Sequence, residues 1–429
     1  MQPCIALGLG LKRSGHAVTV ATWAPFRRLV EGSGLSFHSV AGPDPDQLVA
    51  ALVEAGSNPL EYARRFRGLL RPHTVQGFHD CLSACRRADA IIFTPLGFTG
   101  YMVAELLQLP AVGSVVQPLF VRTGSYPSAM LGRPPGVVER PGAPGPGSIY
   151  NHLTHLAVEQ LYWRTVQPLV ADVREEVALP PIPPLRGPFG RMHRERSPLL
   201  LGWSKHVLPE NPDREAWMRT TGHWFLDQER DWGPPRELRA FLEAGEPPVS
   251  LCLGSMGGIQ SARIGRIVAL TARALERAGK RGVLLDGSGD STGLPDNMMK
   301  LTGEVPYGWL FRQVAVAVHH GGAGTTAEAL RAGVPSVVVP VVPDQAFWGW
   351  RVATLGAGPE PIPPRRLTAE RLASAIQRAA TDVEMRKRCK ELGERISAED
   401  GVGRAVEAFE EHVEKRRVPQ ARELRHEPC

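Results

Sequence analysis

The sequence predicts an α/β protein whose sheets are parallel and doubly wound, and three observations carry this. From residue 248 onward, short apolar runs of buried-strand type alternate with glycine turns and amphipathic helices. A second alternation of strand, helix and strand runs through residues 88–116. The length of 429 residues predicts two or three domains.

In chain order, Pro3 in the first turn and Gly15 at the close frame an opening helix, and residues 16–22 follow as a strand. A doubly wound domain starts with a strand that lies centrally in its sheet. An order of helix before strand therefore predicts a first domain that lacks its first strand. Residues 88–94 read as a buried strand, 101–109 as a helix and 110–116 as the next strand. The Pro- and Gly-rich stretch 117–147 reads as long loops, functional or disordered. Its Leu119, Phe120, Tyr126 and Met130 offer apolar surface, for a ligand or for packing. Residues 151–177 form an amphipathic helix, single or divided at Pro168, in which His152 and His155 are ordinary helix residues. Strands at 199–204 and 219–226 end a first domain of residues 1–226, and the charged, proline-rich stretch 227–246 is the linker.

The second domain, 247–400, opens with a strand at 248–253, a glycine turn at 254–258, a helix at 261–278 and a strand at 282–286. Its informative stretch is 316–330. A short apolar strand ends in His319 and His320, turns through Gly321, Gly322 and Gly324, and enters a helix through Thr325 and Thr326. Small residues let backbone approach a ligand, and the free N–H groups and dipole of a helix start favour an anion. Two hydroxyls and two imidazoles add donors, so the stretch reads as a diphosphate cradle. A P-loop is excluded because no Lys-Ser or Lys-Thr follows the glycines. The dinucleotide fingerprint is excluded because its third glycine is missing. A buried strand at 335–340 then leads to Asp344 and Gln345, an acid–amide pair at the strand end where open α/β sheets bind ligands. Together the two can hydrogen-bond vicinal sugar hydroxyls. Helices at 369–381 and 383–396 close the domain.

Residues His319 to Thr326, Ala332 to Pro335, Asp344 to Trp348 and Gly358 to Pro363 resemble the donor-binding half of sterol 3-beta-glucosyltransferases and related bacterial UDP-glycosyltransferases. The resemblance covers most of the chain and is strongest in its second half. It implies the GT-B fold, two Rossmann-like domains facing a cleft, with residues 401–429 forming a helix that returns to the first domain and a tail. It implies an inverting transfer of glucose, or another hexose, from a UDP-sugar to a hydroxyl of a lipophilic acceptor such as a sterol. No metal and no cofactor is required, because the His319–Thr326 loop can itself stabilise the departing diphosphate. The implied donor site comprises Ser255, Val305, His319, His320, Gly322, Gly324, Thr325, Thr326, Asp344 and Gln345. Ser255 would lie against the phosphates, the backbone at Val305 would read the uracil edge, and His320 is the imidazole expected on phosphate. Trp309, in the same segment as Val305, is core or ligand.

The family's general base is an aspartate in a loop reading Gly-Thr-Arg-Gly-Asp-Val-Gln-Pro. This chain matches only its final Gln2 and Pro3, so the expected base falls before Met1 and no catalytic residue is assigned within the chain. Either the natural protein starts further upstream or a central part of the acceptor domain is lost. A relative that binds nucleotide sugar or lipid without turnover is the alternative function, and a nucleotide-sugar epimerase of the same fold is a further one.

Composition narrows the remaining classes. With 43% hydrophobic and 22% charged residues the chain is an ordinary globular protein, and no apolar run approaches the ~20 residues of a membrane span. No signal peptide opens it. The formal net charge of +6 is small for this length and does not suit nucleic-acid binding. A basic cluster at 415–425 reads as a solvated tail, or as a contact to an acidic lipid surface. The six cysteines are scattered, and Cys81 and Cys85, near His73 and His79, lack the pair spacing of a zinc site. The expectation is a cytoplasmic protein with reduced thiols and peripheral membrane contact.

Overall fold

The computed structural model describes residues 1–423 apart from 56–57, 95–96, 120, 132–145, 184–186, 188–191, 195, 211–216, 228–231, 254–261, 286–293, 302 and 304. The opening helix α1 (Gln2–Arg13) has Pro3 in its first turn, where the missing N–H is no loss, and Lys12 and Arg13 at its negative end. Gly15, at φ +93°, then turns the chain into β1 (Thr19–Thr22). Helix α2 (Arg27–Gly32) and strand β2 (Ser36–Ser39) follow. Next come α3 (Pro45–Ala55), α4 (Pro59–Leu70) and α5 (Thr74–Cys85). The predicted strand–helix–strand unit is β3 (Ile91–Phe93), α6 (Phe98–Leu107) and β4 (Ala111–Val115). The helix α7 (Pro146–Glu176) starts before the predicted point and runs unbroken through Pro168. Strands β5 (Leu199–Leu201) and β6 (Met218–Thr220) are shorter than the stretches predicted for them.

The strands of this half pair in parallel but form two separate sheets, β1-β2 and β3-β4-β5-β6. Among the described residues β1 pairs only with β2, and β3 only with β4. Helix α1 lies across both sheets: Ile5 packs in a cluster with Val18 and Val20, Leu7 and Leu11 in one with Ile92, Val112 and Leu200. The predicted order, helix before strand, is thus what the fold shows.

The stretch predicted as linker carries α8 (Arg236–Glu243), whose Leu238 is fully buried against Val283 and Leu301. The second half continues through β7 (Val249–Cys252), α9 (Ala262–Ala278), β8 (Gly282–Leu285), β9 (Met298–Leu301) and α10 (Tyr307–Phe311). It goes on through β10 (Val316–His319), α11 (Ala323–Arg331), β11 (Ser336–Val338) and α12 (Pro343–Thr354). Helices α13 (Ala369–Thr381), α14 (Val383–Ser397) and α15 (Gly401–Glu423) complete the chain. The five strands are parallel in the order β11-β10-β7-β8-β9. They are buried on both faces, as a sheet covered by helices requires, and this is why they read as continuous apolar runs. Helix α15 returns to the first half, where Ala405, Val406, Phe409 and Val413 pack on Ala6, Leu7 and Leu11 of α1. No described helix is long and apolar enough to cross a membrane.

Candidate active site

The chain leaves β7 for β8 and β9 on one side and crosses to β10 and β11 on the other. The order of the sheet therefore reverses between β7 and β10, where such sheets bind ligands at the strand ends. The histidine pair stands at this point. His319 is the last residue of β10, in register with Cys252 of β7 and Val338 of β11. Its Nδ1 accepts a hydrogen bond from the Gly321 N–H at 3.1 Å, while Nε2 has no partner among the described residues. His320 sets Nδ1 3.4 Å from the Cys252 carbonyl, and its Nε2 faces Gly322, where a Cβ would come within 2.3 Å of it.

Both rings are buried, and burial lowers their pKa values, to about 3 for His319, with His320's charge as a second cause, and to about 4 for His320, where the Cys252 carbonyl opposes the shift. At neutral pH both are neutral: His319, whose Nδ1 accepts, carries its proton on Nε2, and His320 gives its single N–H to the Cys252 carbonyl. Gly321 turns at φ +90°, and Gly322 caps α11 without a side chain. The first backbone bond here runs from the Thr326 N–H to the Gly322 carbonyl, so the preceding N–H groups point out of the helix start. Gly324 is exposed with open space above it, Thr325 is buried, and the buried Thr326 hydroxyl has no partner among the described residues. This is an anion cradle of N–H and O–H donors.

Asp344 and Gln345 sit in the first turn of α12. Gln345 is buried, and its Oε1 accepts from the Val341 and Val342 N–H groups at 2.7 and 3.2 Å. That oxygen clasps the loop ahead of the helix instead of pointing to a ligand, which narrows the hydroxyl-binding role read from sequence. Asp344 keeps that role within reach. Burial raises its carboxyl to about 6, against hydrogen bonds from the α12 backbone and from Gln117. Val305 is half-buried just ahead of α10 and packs on the cluster that holds Cys252. Trp309 packs edge-on against Trp232 with ring centroids 5.0 Å apart, a core contact. Ser255 lies outside the described residues.

The first half reaches this wall through the loop after β4. Gln117 bonds Asp344, and the Tyr126 ring meets Phe347 of α12 at 6.0 Å. Sequence reasoning missed what fixes this loop. Asn151 Nδ2 donates to the Gly124 carbonyl at 2.8 Å, Thr154 Oγ1 accepts from the Ser128 N–H at 2.9 Å, and His155 Nε2 lies 3.1 Å from the Tyr126 carbonyl. Arg122 grips the buried Glu159 carboxylate with two nitrogens. The early turns of α7 thus bury a polar face, while Ile149, Leu153 and Leu156 stand exposed on the other. The signal was in the sequence: Asn151, His155 and Glu159 recur every fourth residue. Tyr126, read as surface for a ligand or packing, is buried. His79 bonds Glu176 at 2.6 Å, and no group of potential metal ligands occurs among the described residues.

Solved structures share this arrangement. The glycotransferase of kitacinnamycin superposes with a TM-score of 0.67 at 20% identity, covering 96% of this chain and 95% of that one. The glycosyltransferase SnogD from Streptomyces nogalater gives 0.62 at 22% identity and 96% coverage of both chains. VinC, solved in complex with DTDP, gives 0.65 at 18%, again covering 96% of both. The chain has the GT-B fold.

Residues 285–409 of this GT-B chain match the family described as Erythromycin biosynthesis protein CIII-like, C-terminal domain. The chain is 32% identical to sterol 3-beta-glucosyltransferases of Cryptococcus neoformans var. neoformans, Candida albicans and Saccharomyces cerevisiae, aligned over 96% of its own length. It spans 26%, 27% and 34% of those proteins respectively.

Proposed function

We propose that this chain transfers a hexose from a UDP-sugar to a hydroxyl of a lipophilic acceptor such as a sterol, with inversion at the anomeric carbon. The observation that carries this reading is the cradle at the sheet reversal, two neutral imidazoles and a free helix start, with the Asp344 carboxyl on the neighbouring strand end. The diphosphate leaves as a developing anion. Donors preorganised in a water-poor site stabilise that charge without reorganising, so none of the steps requires a metal. The neutral His319 imidazole serves here as a hydrogen-bond donor through Nε2. Asp344 accepts sugar hydroxyls and holds the anomeric carbon in position for attack.

The 32% identity to sterol 3-beta-glucosyltransferases supports the sugar and acceptor classes. The exposed Ile149, Leu153 and Leu156 on α7 suit a lipophilic acceptor delivered from a membrane surface, and support peripheral contact there. The base that takes the acceptor proton is unassigned among the described residues. For that reason a second reading, nucleotide-sugar binding without turnover, stands beside the first.

Calorimetric titration with UDP and UDP-glucose, followed by a UDP-release assay with a sterol, separates the two. Binding with turnover supports transfer, binding alone supports the second reading, and no binding of either ligand rejects both. His320→Ala, which removes the ring held between the Cys252 carbonyl and Gly322, is expected to weaken UDP binding about tenfold or more. Unchanged affinity and turnover in that variant would remove His320 from the phosphate site.

A further inference from the structure

The bond between Gln117 and Asp344 joins residues 227 positions apart across the two halves of the chain. Gln117 stands two residues past β4, at the strand end where the first half faces the cleft. Its Nε2 donates to Asp344 Oδ2 at 3.0 Å. Tyr62 of α4 lies within the field of the same carboxylate. Burial, helped by the Asp344 charge, holds its phenol well above the usual range. Asp344 is therefore held from the first half by Gln117, although it belongs to the second.

A carboxylate offers about four acceptor positions. The α12 backbone takes part of this capacity, and the Gln117 bond to Oδ2 adds a hold from the other half of the chain on which way the group turns. The carboxamide that makes this bond also carries an acceptor oxygen of its own at the same place. We propose that Gln117 is a positioning residue for the sugar of the donor, turning the Asp344 carboxylate toward the sugar hydroxyls from across the cleft. This rests on the donor-site reading given above. It divides recognition in a definite way: the second half alone holds the nucleotide, whereas the sugar is read by both halves together.

The division predicts which ligand a change at Gln117 affects. Gln117→Leu keeps nearly the same volume and removes the bond, and Gln117→Asn keeps the carboxamide but is too short to reach. Titrated with UDP, both variants are expected to match the wild-type chain within about twofold. Titrated with UDP-glucose, both are expected to bind about five- to twentyfold more weakly, as for one lost hydrogen bond to a charged group. Unchanged affinity for both ligands would overturn the inference. An equal loss for both would also overturn it, since that is the mark of a packing role in the loop. A wild-type chain that binds neither ligand rejects the donor-site reading itself, and this inference with it. A wild-type chain that binds both while the variants match it rejects only the role of Gln117.

Discussion

Gly321→Ala is expected to destabilise the protein by about 2–4 kcal/mol and to abolish UDP binding. The residue turns at φ +90°, where a side chain is strained whatever space surrounds it. Here there is no space. A Cβ would stand 2.6 Å from the Gln345 carbonyl oxygen and 2.7 Å from Val338 Cγ1, and both belong to elements that cannot give way cheaply. The backbone would have to move, taking with it the N–H that holds His319 Nδ1 and the start of α11. Three residues on, the same substitution has the opposite sign. Gly324 lies inside α11 with nothing near its missing Cβ, so Gly324→Ala is expected to gain about 0.5–1 kcal/mol. Denaturant unfolding of the two variants, read beside UDP titration, tests both. A Gly321→Ala protein of wild-type stability would show that the turn is not as tight as described.

The second large effect is loss of stability on mild acidification. His155, His319 and His320 are all buried, and burial lowers their pKa values to about 4, about 3 and about 4. An unfolded histidine titrates near 6.5. Each neutral imidazole therefore contributes stability that is complete above pH ~6.5 and is lost as the pH falls from there toward its folded value, because only the unfolded chain takes up the proton. At pH 5 the loss is about 2 kcal/mol for each imidazole. Asp344 works the other way. Its folded value of about 6 lies above that of an unfolded aspartate, so acidification relieves its penalty between about 6 and 4. Three imidazoles outweigh it. Urea unfolding at pH 7, 6 and 5 is expected to show a steep fall, a large share of a marginal stability of about 5–15 kcal/mol. A constant midpoint across that range would mean that the histidines are solvated in the folded protein.

The second half of the chain was legible because its strands are buried on both faces, and unbroken apolar runs such as 248–253 and 316–319 announce that environment. Edge strand β9 was not, since Met298-Met299-Lys300-Leu301 is short and carries no β-branched residue. Helix α12 hid behind Pro340 and Pro343, which punctuate like a loop although Pro343 is the first residue of a helix. The cradle was legible for a related reason: glycines, histidines and threonines crowded at one strand end have few other uses. What could not be read is where side chains turn once the backbone is placed. Gln345 looked like a ligand for hydroxyls, and its oxygen caps its own loop. His155 looked like an ordinary helix residue, and with Glu159 it anchors the loop that carries Gln117. Spacing marks His155 and Glu159 as sharing a face but does not name their partners Tyr126 and Arg122, which lie 29 and 37 residues away.

The separate β1-β2 sheet has a consequence for how the protein is made. Among the described residues these strands pair only with each other, and two strands of four residues are too little to persist alone in water. Helices α1, α2 and α5 pack on them, and α1 is in turn covered by Phe409 and Val413 of α15. A ribosome that has just released the first 40 residues must therefore translate on to Val413 before they gain their last support. At about 5–20 residues per second that interval is roughly 20–80 s. During it α1 lacks the cover of α15, and chaperone occupancy should be greatest there.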